Sequence, residues 1–305
     1  MAAPAAVIAI FGPTGVGKTS VAIELADRLR AGGEDPIAIS ADALQVYRGL
    51  EVLTGVATPA EQERLEHRLV SFLPVTETFS AGQFADLAHR EIDAALDAGR
   101  SPIVVGGTGL YLQAALTDLE LRPPPPPGVR ERILAEADER GIEALYSDLA
   151  ERAPAAAAAI PPTDRTRVVR ALELLEMGEE PAPTGDESRL WTADLRRPTV
   201  LAGLTMERER LYEQIDARVE AMVAAGAEDE VRRADGAGAS ATARRALGFD
   251  ELLRGDVDAM KRRTRNYAKR QLTWMRRLER ANVLDAGSGP VDRLAQLVKE
   301  EERDS

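Results

Sequence analysis

The 305-residue chain is 44% hydrophobic but only 4% aromatic, which is enough apolar content for a sizeable core built mainly from Ala, Leu and Val, and enough length for two domains. It has no cysteine and two histidines, His67 and His89, which excludes disulfides, thiolate zinc sites, cysteine nucleophiles and a histidine-rich metal centre. No apolar run reaches membrane-spanning length and Met1–Ala6 lacks a charged leader, so the chain is expected to be cytoplasmic, with no membrane partner.

Taken in order, the first hundred residues alternate strand and helix signals, the pattern of a parallel sheet with crossover helices. Val7–Phe11 is a continuous apolar run ending at Gly12, and helical spacing follows over Ser20–Arg30. Pro36–Ser40 repeats the buried-strand pattern. Ser80 with Gln83 three residues on forms a capping box, with Phe84, Leu87, Ala88 and Ile92 as the helix stripe and Gly99 as its stop. Ser101–Val105 is a third strand running into Gly106-Gly107-Thr108-Gly109. The unbroken prolines Pro123–Pro127 predict a stiff polyproline spacer. Helical patterns over Val129–Leu149 and Arg165–Met177 then define a small all-helical insert, 128–197, between two parts of the core domain, 1–127 and 198–305. A strand over Pro198–Leu204 re-enters the core, and the chain finishes in helices. The predicted fold is α/β: a P-loop sheet carrying a helical insert.

The net charge of −12 argues against a nucleic-acid partner until its distribution is read. Between Lys261 and Arg280 stand nine basic residues against Glu279 alone, a local excess of +8 in an acidic protein. A charge run of this kind reads as a solvated helix face or as a phosphate-binding stripe. Lys261, Arg265, Lys269 and Arg276 share one helical face, while Met260, Tyr267, Trp274 and Leu278 can pack inward.

Gly12-Pro13-Thr14-Gly15-Val16-Gly17-Lys18-Thr19 matches G-x-x-x-x-G-K-[ST] with a strand before it and a helix after. Such a loop turns backbone N–H groups onto an anion, Lys18 neutralises a phosphate and Thr19 can ligate Mg²⁺. A di- or triphosphate is therefore the expected ligand. NTP hydrolysis ordinarily uses an acid ending a neighbouring strand to hold magnesium, whereas the third strand ends in Gly106-Gly107-Thr108. The carboxylate follows the second strand instead, at Asp42. Asp42 also reads as a helix N-cap and Thr108 as a turn residue, yet both fall at carboxyl ends of strands, where ligands of parallel sheets sit. Arg218 falls in the middle of the core-facing stripe of Leu211, Ile215, Val219 and Met222, at i+7 from Leu211 and i+3 from Ile215, and an arginine buried there needs an anion or a core carboxylate.

These motifs together resemble the bacterial tRNA dimethylallyltransferases, or tRNA isopentenyltransferases. The resemblance rests on the P-loop, Asp42 with Gln45-Val46-Tyr47-Arg48-Gly49, Phe79-Ser80-Ala81, Val104–Leu112, Asp164–Arg167, Arg245–Phe249 and Lys269–Arg276. It implies transfer of a dimethylallyl group from dimethylallyl diphosphate to N6 of the adenosine 3′ of a tRNA anticodon, with the P-loop holding the donor's diphosphate. It further implies Asp42 as general base, Lys18, Thr19, Mg²⁺ and Arg218 at the leaving diphosphate, and Thr108 on the nucleotide or the diphosphate. Ala43, Leu44, Gln45, Arg165, Arg167, Arg245, Gly248, Lys269, Arg270, Gln271, Trp274 and Arg276 would line the anticodon stem-loop, and the enzyme would act as a monomer. The chain departs from the family pattern at Ala43, usually Ser, across Leu50–Pro59, which lacks a lysine and is longer, and at Glu66-His67-Arg68-Leu69. The same chemistry on free AMP, ADP or ATP, a small-molecule kinase and a non-catalytic tRNA- or nucleotide-binding protein are the alternatives.

Overall fold

A computed structural model describes residues 6–119, 124–181, 194–278 and 280–304. The chain divides into two compact units, Met1–Leu119 with Ala193–Ser305, and Glu120–Thr192. The insert is thus bounded at 119/120 and 192/193, where the sequence reading places 127/128 and 197/198. Pro124–Pro126 adopt neither helix nor strand; Pro123, Glu279 and Met1–Ala5 lie outside the described residues.

The first unit opens with β1 (Val7–Phe11), α1 (Lys18–Ala31) and β2 (Pro36–Ser40). A short strand β3 (Tyr47–Arg48), helices α2 (Glu51–Thr54) and α3 (Pro59–Arg64), and strands β4 (His67–Arg68) and β5 (Leu73–Pro74) follow. Helix α4 (Ala81–Asp97) carries the expected Ser80–Gln83 capping box, and β6 (Ser101–Gly106) leads into α5 (Gly109–Leu116). The insert holds α6 (Val129–Arg140), α7 (Ile142–Arg152), α8 (Pro154–Ala158) and α9 (Arg165–Glu176). The chain then returns as β7 (Thr199–Thr205), α10 (Arg208–Ala224), α11 (Ala227–Gly236), α12 (Phe249–Leu253), α13 (Val257–Met275), β8 (Asn282–Asp285) and α14 (Val291–Asp304).

Six strands form one parallel sheet in the order β4-β2-β6-β1-β7-β8, and β3 pairs with β5 separately. Strands β1 and β2 are buried along their whole length, which explains why they read as unbroken apolar runs rather than alternating ones. Helices α1 and α4 both pack on β2 and β6 but not on each other, α1 with α14 and α4 with α5; they cover opposite faces. Connections leave β1 and β6 toward opposite sheet edges, so a crevice opens at the carboxyl ends of these neighbours. Where the chain departs for and returns from the insert, Thr117 bridges Leu195 and Arg196 N–H donates to Leu116 O at 2.9 Å. Arg196 then binds Asp93 and Asp118, so the two crossing strands are held together from within the first unit.

Within the insert, the helix expected over Val129–Leu149 is two helices, because Gly141 adopts φ +83° and ψ 153° and interrupts the α conformation. Ile133, Ala137, Leu145, Leu149, Val168 and Leu172 build its core. Buried Glu173 enters that core paired with Arg130 and Arg170.

Candidate active site

Residues Gly12–Gly17 turn from β1 into α1. Gly15 and Gly17 have φ +84° and +92°, the left-handed region that favours glycine. A Cβ on Gly12 would stand 2.9 Å from Leu204 O, so neighbouring β7 crowds the loop. Lys18 folds back and donates from Nζ to Gly12 O (2.9 Å) and Pro13 O (3.0 Å). The N–H of Val21 already binds Gly17 O, leaving the first-turn amides of Lys18, Thr19 and Ser20 without intrahelical acceptors. Burial, reinforced by the nearby Arg218 charge and opposed by Asp42, lowers the Lys18 pKa to about 8.

Asp42 follows β2, but no helix follows it. Its Oδ1 accepts the Leu44 N–H at 2.9 Å, a local Asx turn, so the helix N-cap alternative does not hold. Gln45 is spanned by protein on both sides: Ser40 Oγ donates to its Oε1 (2.8 Å), and its Nε2 donates to Gly55 O (3.0 Å). Gly55 ends α2 at φ +63°, and a Cβ there would overlap the Arg218 guanidinium. Buried Glu230 from α11 accepts the N–H groups of Val52 and Leu53 (3.0 and 2.9 Å), holding α2 against its neighbours. Helix α2 lies in the stretch where the sequence departs from the family pattern.

Arg218 is exposed, unlike Leu211, Ile215 and Val219 on the same helix. The core-facing placement read from its spacing, and with it the core carboxylate, is therefore corrected. The buried stripe runs through Val219, one residue on, and Arg218 stands at its edge. Protein nonetheless crowds its guanidinium, and desolvation lowers its pKa. Access together with crowding describes a side chain lining a cleft. Among the described residues Arg218 has no hydrogen bond or ion pair, and Lys18 has no carboxylate ion-pair partner. Glu61 and Asp42 act on Arg218 only through their charge, without a direct pair, and two adjacent cations without a directly paired carboxylate make a site for an external anion.

The opposite wall is the β6–α5 turn and α13. Thr108 is the N-cap of α5 by position but makes no capping bond with its side chain; its hydroxyl instead lies 3.0 Å from Tyr267 OH. Burial, then the Asp42 charge, pushes the Tyr267 pKa up to about 12, so this phenol remains protonated. Gln271 is buried, accepting Thr14 N–H (2.8 Å) and donating to Gly107 O (2.7 Å). Half-buried Trp274 lies where a Cβ on Gly109 would stand. Residues 267, 271 and 274 form one helical face. Spacing marked Tyr267 and Trp274 as inward-facing but could not show what they meet.

The expected nucleic-acid residues separate into groups. Lys269, Arg270 and Arg276 are exposed, with Lys269 also 6.0 Å from the Tyr212 ring and Arg270 5.5 Å from the Tyr267 ring. Lys261 and Arg265 instead pair with Glu220 and Asp216 of α10, so this half of the stripe joins two helices. Arg276 caps the helix end rather than continuing its face. Arg245 is exposed; Gly248 is buried at φ +96° and opens α12, where a Cβ would strike Met260. Ala43 and Leu44 are half-buried beside Asp42. In the insert, Arg165 binds Leu134 O and Asp138, and Arg167 lies 3.5 Å from Asp164. Gln271 and Gly248 therefore serve packing and loop geometry.

No cluster of three or more His, Asp or Glu able to hold a metal occurs among the described residues. Half-buried Thr19, in the first turn of α1, fits the kind of Mg²⁺ site completed by phosphate oxygens and water rather than by a protein cage. No helix among the described residues is long and apolar enough to cross a membrane.

Fold and site define a P-loop α/β protein with a helical insert, whose phosphate cradle faces a carboxylate and a hydroxyl. The IPP transferase family model matches residues 45–278. The tRNA dimethylallyltransferase of Kineococcus radiotolerans is 41% identical, over 96% of this chain and 95% of that protein. The crystal structure of the tRNA isopentenylpyrophosphate transferase from Bacillus halodurans superposes with a TM-score of 0.70 at 33% identity, covering 98% of this chain and 97% of its own. A eukaryotic dimethylallyltransferase, seen in crystallographic snapshots acting on tRNA, gives 0.73 at 27% identity, over 92% and 73%. The chain belongs to the IPP transferase family.

Proposed function

We propose that this protein transfers a dimethylallyl group from dimethylallyl diphosphate to N6 of the adenosine 3′ adjacent to the anticodon of tRNA, giving N6-(dimethylallyl)adenosine and diphosphate. The observation that carries the reading is the closeness of two cations, Lys18 and Arg218, neither directly ion-paired among the described residues, to the Asp42 carboxylate. The strand next to the P-loop strand ends in Gly106-Gly107-Thr108 and not in the acid that NTP hydrolysis uses. Kinship to tRNA-modifying enzymes of matching length supplies the acceptor.

In the reaction, the donor's C1–O bond breaks and the N6–C1 bond forms. The amine lone pair is delocalised into the purine, so a base that removes its proton is worth about 10²–10⁴-fold, and Asp42 supplies it. Lys18, Arg218 and the first-turn amides of α1 stabilise charge accumulating on the departing diphosphate. Thr19 would hold Mg²⁺, which when bound neutralises part of that charge. The Thr108–Tyr267 hydroxyl pair borders the acceptor side and can orient the purine. Exposed Lys269, Arg270 and Arg276 would meet tRNA phosphates, a contact that positions without reading sequence. The target base is then turned out of its stack into the cleft. The residues assigned here to the diphosphate and the amine all lie on one chain, so a monomer suffices for the reaction.

Incubation with labelled dimethylallyl diphosphate and unmodified tRNA, beside AMP and ATP, tests this. Label in tRNA alone is the expected result. Label in the free nucleotide, or phosphate transfer from ATP without a prenyl donor, overturns it.

A further inference from the structure

Gln271 reaches across 257 residues of sequence to the P-loop, and both ends of its side chain are committed. Its orientation is unambiguous. The Thr14 N–H can only donate and the Gly107 carbonyl can only accept, so Oε1 must face the first at 2.8 Å and Nε2 the second at 2.7 Å. Gln271 is buried, and losing either bond would strand a polar backbone group.

The consequence for the phosphate cradle is an inventory of amides. Pro13 has no N–H. Thr14 gives its own to Gln271, and Val16 gives its own to Pro13 O at 3.3 Å. Pro13, Thr14 and Val16 therefore offer an anion no amide. The donors that remain are Gly15, Gly17 and the first turn of α1, all toward the helix end. Lys18 Nζ sits at the closed side, 3.3 Å from where a Cβ on Gly107 would lie, and Gln271 holds that same residue's carbonyl. A phosphate chain extending past the helix end meets a proline, an occupied amide and a glycine turn pinned in place.

We propose that Gln271 is a specificity-determining positioning residue: by consuming the Thr14 N–H and tying it to Gly107 O, it limits the cradle to two phosphates and excludes a third. This deepens the proposed donor site and rests on that reading for the donor, but it concerns the anion alone and can be measured without any prenyl group or tRNA.

The experiment measures binding of inorganic pyrophosphate and inorganic tripolyphosphate to the full chain at constant Mg²⁺ and ionic strength. Tripolyphosphate carries more negative charge, so charge attraction favours it. The wild type is expected to reverse that order and bind pyrophosphate at least about tenfold more tightly, a difference of about 1.4 kcal/mol. In Gln271→Leu, with the side-chain acceptor gone, the ratio is expected to fall within about threefold while thermal stability shows the protein still folded. Gln271→Glu adds a signature that packing alone does not produce. At pH 5 a protonated buried acid can accept from Thr14 and donate to Gly107 O, restoring the ratio; at pH 8 the ionised form repels the carbonyl and loses it. A wild type with no preference for pyrophosphate, or a folded Gln271→Leu with an unchanged ratio, overturns the proposal. Should Gln271→Leu fail to fold, a ratio in Gln271→Glu that matches the wild type's at both pH 5 and pH 8 does the same. Turnover of wild type on tRNA is scored separately, so failure of the prenyl-transfer reading remains distinguishable.

Discussion

At the scale of single residues, the site depends on charges held where the protein provides no partner. Lys18 titrates near 8 rather than near the usual lysine value because burial and Arg218 disfavour its charged form. It is cationic below that pH and loses its charge above it. Pyrophosphate affinity of the free enzyme is thus expected to weaken by up to about tenfold per pH unit above 8, while Lys18→Arg stays flat through the same range. The same shift has the opposite sign for folding. A lowered lysine pKa costs stability where the group is charged, and that cost fades as pH rises from about 8 toward the unfolded value. Asp42 carries a different demand. Asp42→Asn keeps an oxygen for the Leu44 N–H but cannot take a proton, so turnover is expected to drop at least about 10²-fold with donor binding kept. Single-turnover rates beside pyrophosphate affinity read both quantities, and near-normal turnover removes the base role.

At the scale of elements, α13 presents two faces with separate duties. Tyr267, Gln271 and Trp274 meet the Thr108, Gly107 and Gly109 turn, while Lys269, Arg270 and Arg276 are exposed. Changing these three cations to alanine is expected to weaken tRNA binding and flatten the dependence of log affinity on log salt by about one unit per lost phosphate contact. Lys261→Ala and Arg265→Ala, which break pairs with Glu220 and Asp216, are expected to leave that slope unchanged and to change stability little, as exposed and partly exposed ion pairs do. Salt titrations of both sets, side by side, separate a binding face from a helix–helix seam. An equal loss of slope in both would return the whole run to one role.

At the scale of the molecule, each unit is held together by its own buried groups. In the insert, Glu173 is buried with two guanidinium partners, Arg130 and Arg170. Arg130→Ala removes its bidentate contact and is expected to cost about 2 kcal/mol, the range of hydrogen bonds to charged groups. Limited proteolysis should then cut the insert faster, while pyrophosphate affinity holds, because every diphosphate contact assigned here lies in the first unit. Parallel loss of both would mean the units do not stand separately. The first unit survives interruption because its broken ends are joined by the Thr117–Leu195 bridge and by Arg196 on Asp93 and Asp118.

What could be read without coordinates was local. The P-loop is eight consecutive residues, the strands around it are short buried runs, and the capping box that opens α4 spans only Ser80 to Gln83. Consecutive spacing sets such features because the interacting groups are neighbours along the chain. Periodicity also found the apolar stripe beside Arg218 and the basic run in α13, but it shows only which face is apolar and never what lies across from it. Hence spacing points Arg218 into the core when it lines a cleft, and puts Lys261 and Arg265 on one basic face with Lys269 when they join α10. Gly141, Gly248 and Gly55 act through backbone angles or through a distant side chain that would collide with a Cβ. The sequence by itself determined where a P-loop stands and on what kind of sheet. Only the tertiary structure decided which amides of that loop are already taken, because the group that takes one of them, on Gln271, is a neighbour in space and not along the chain.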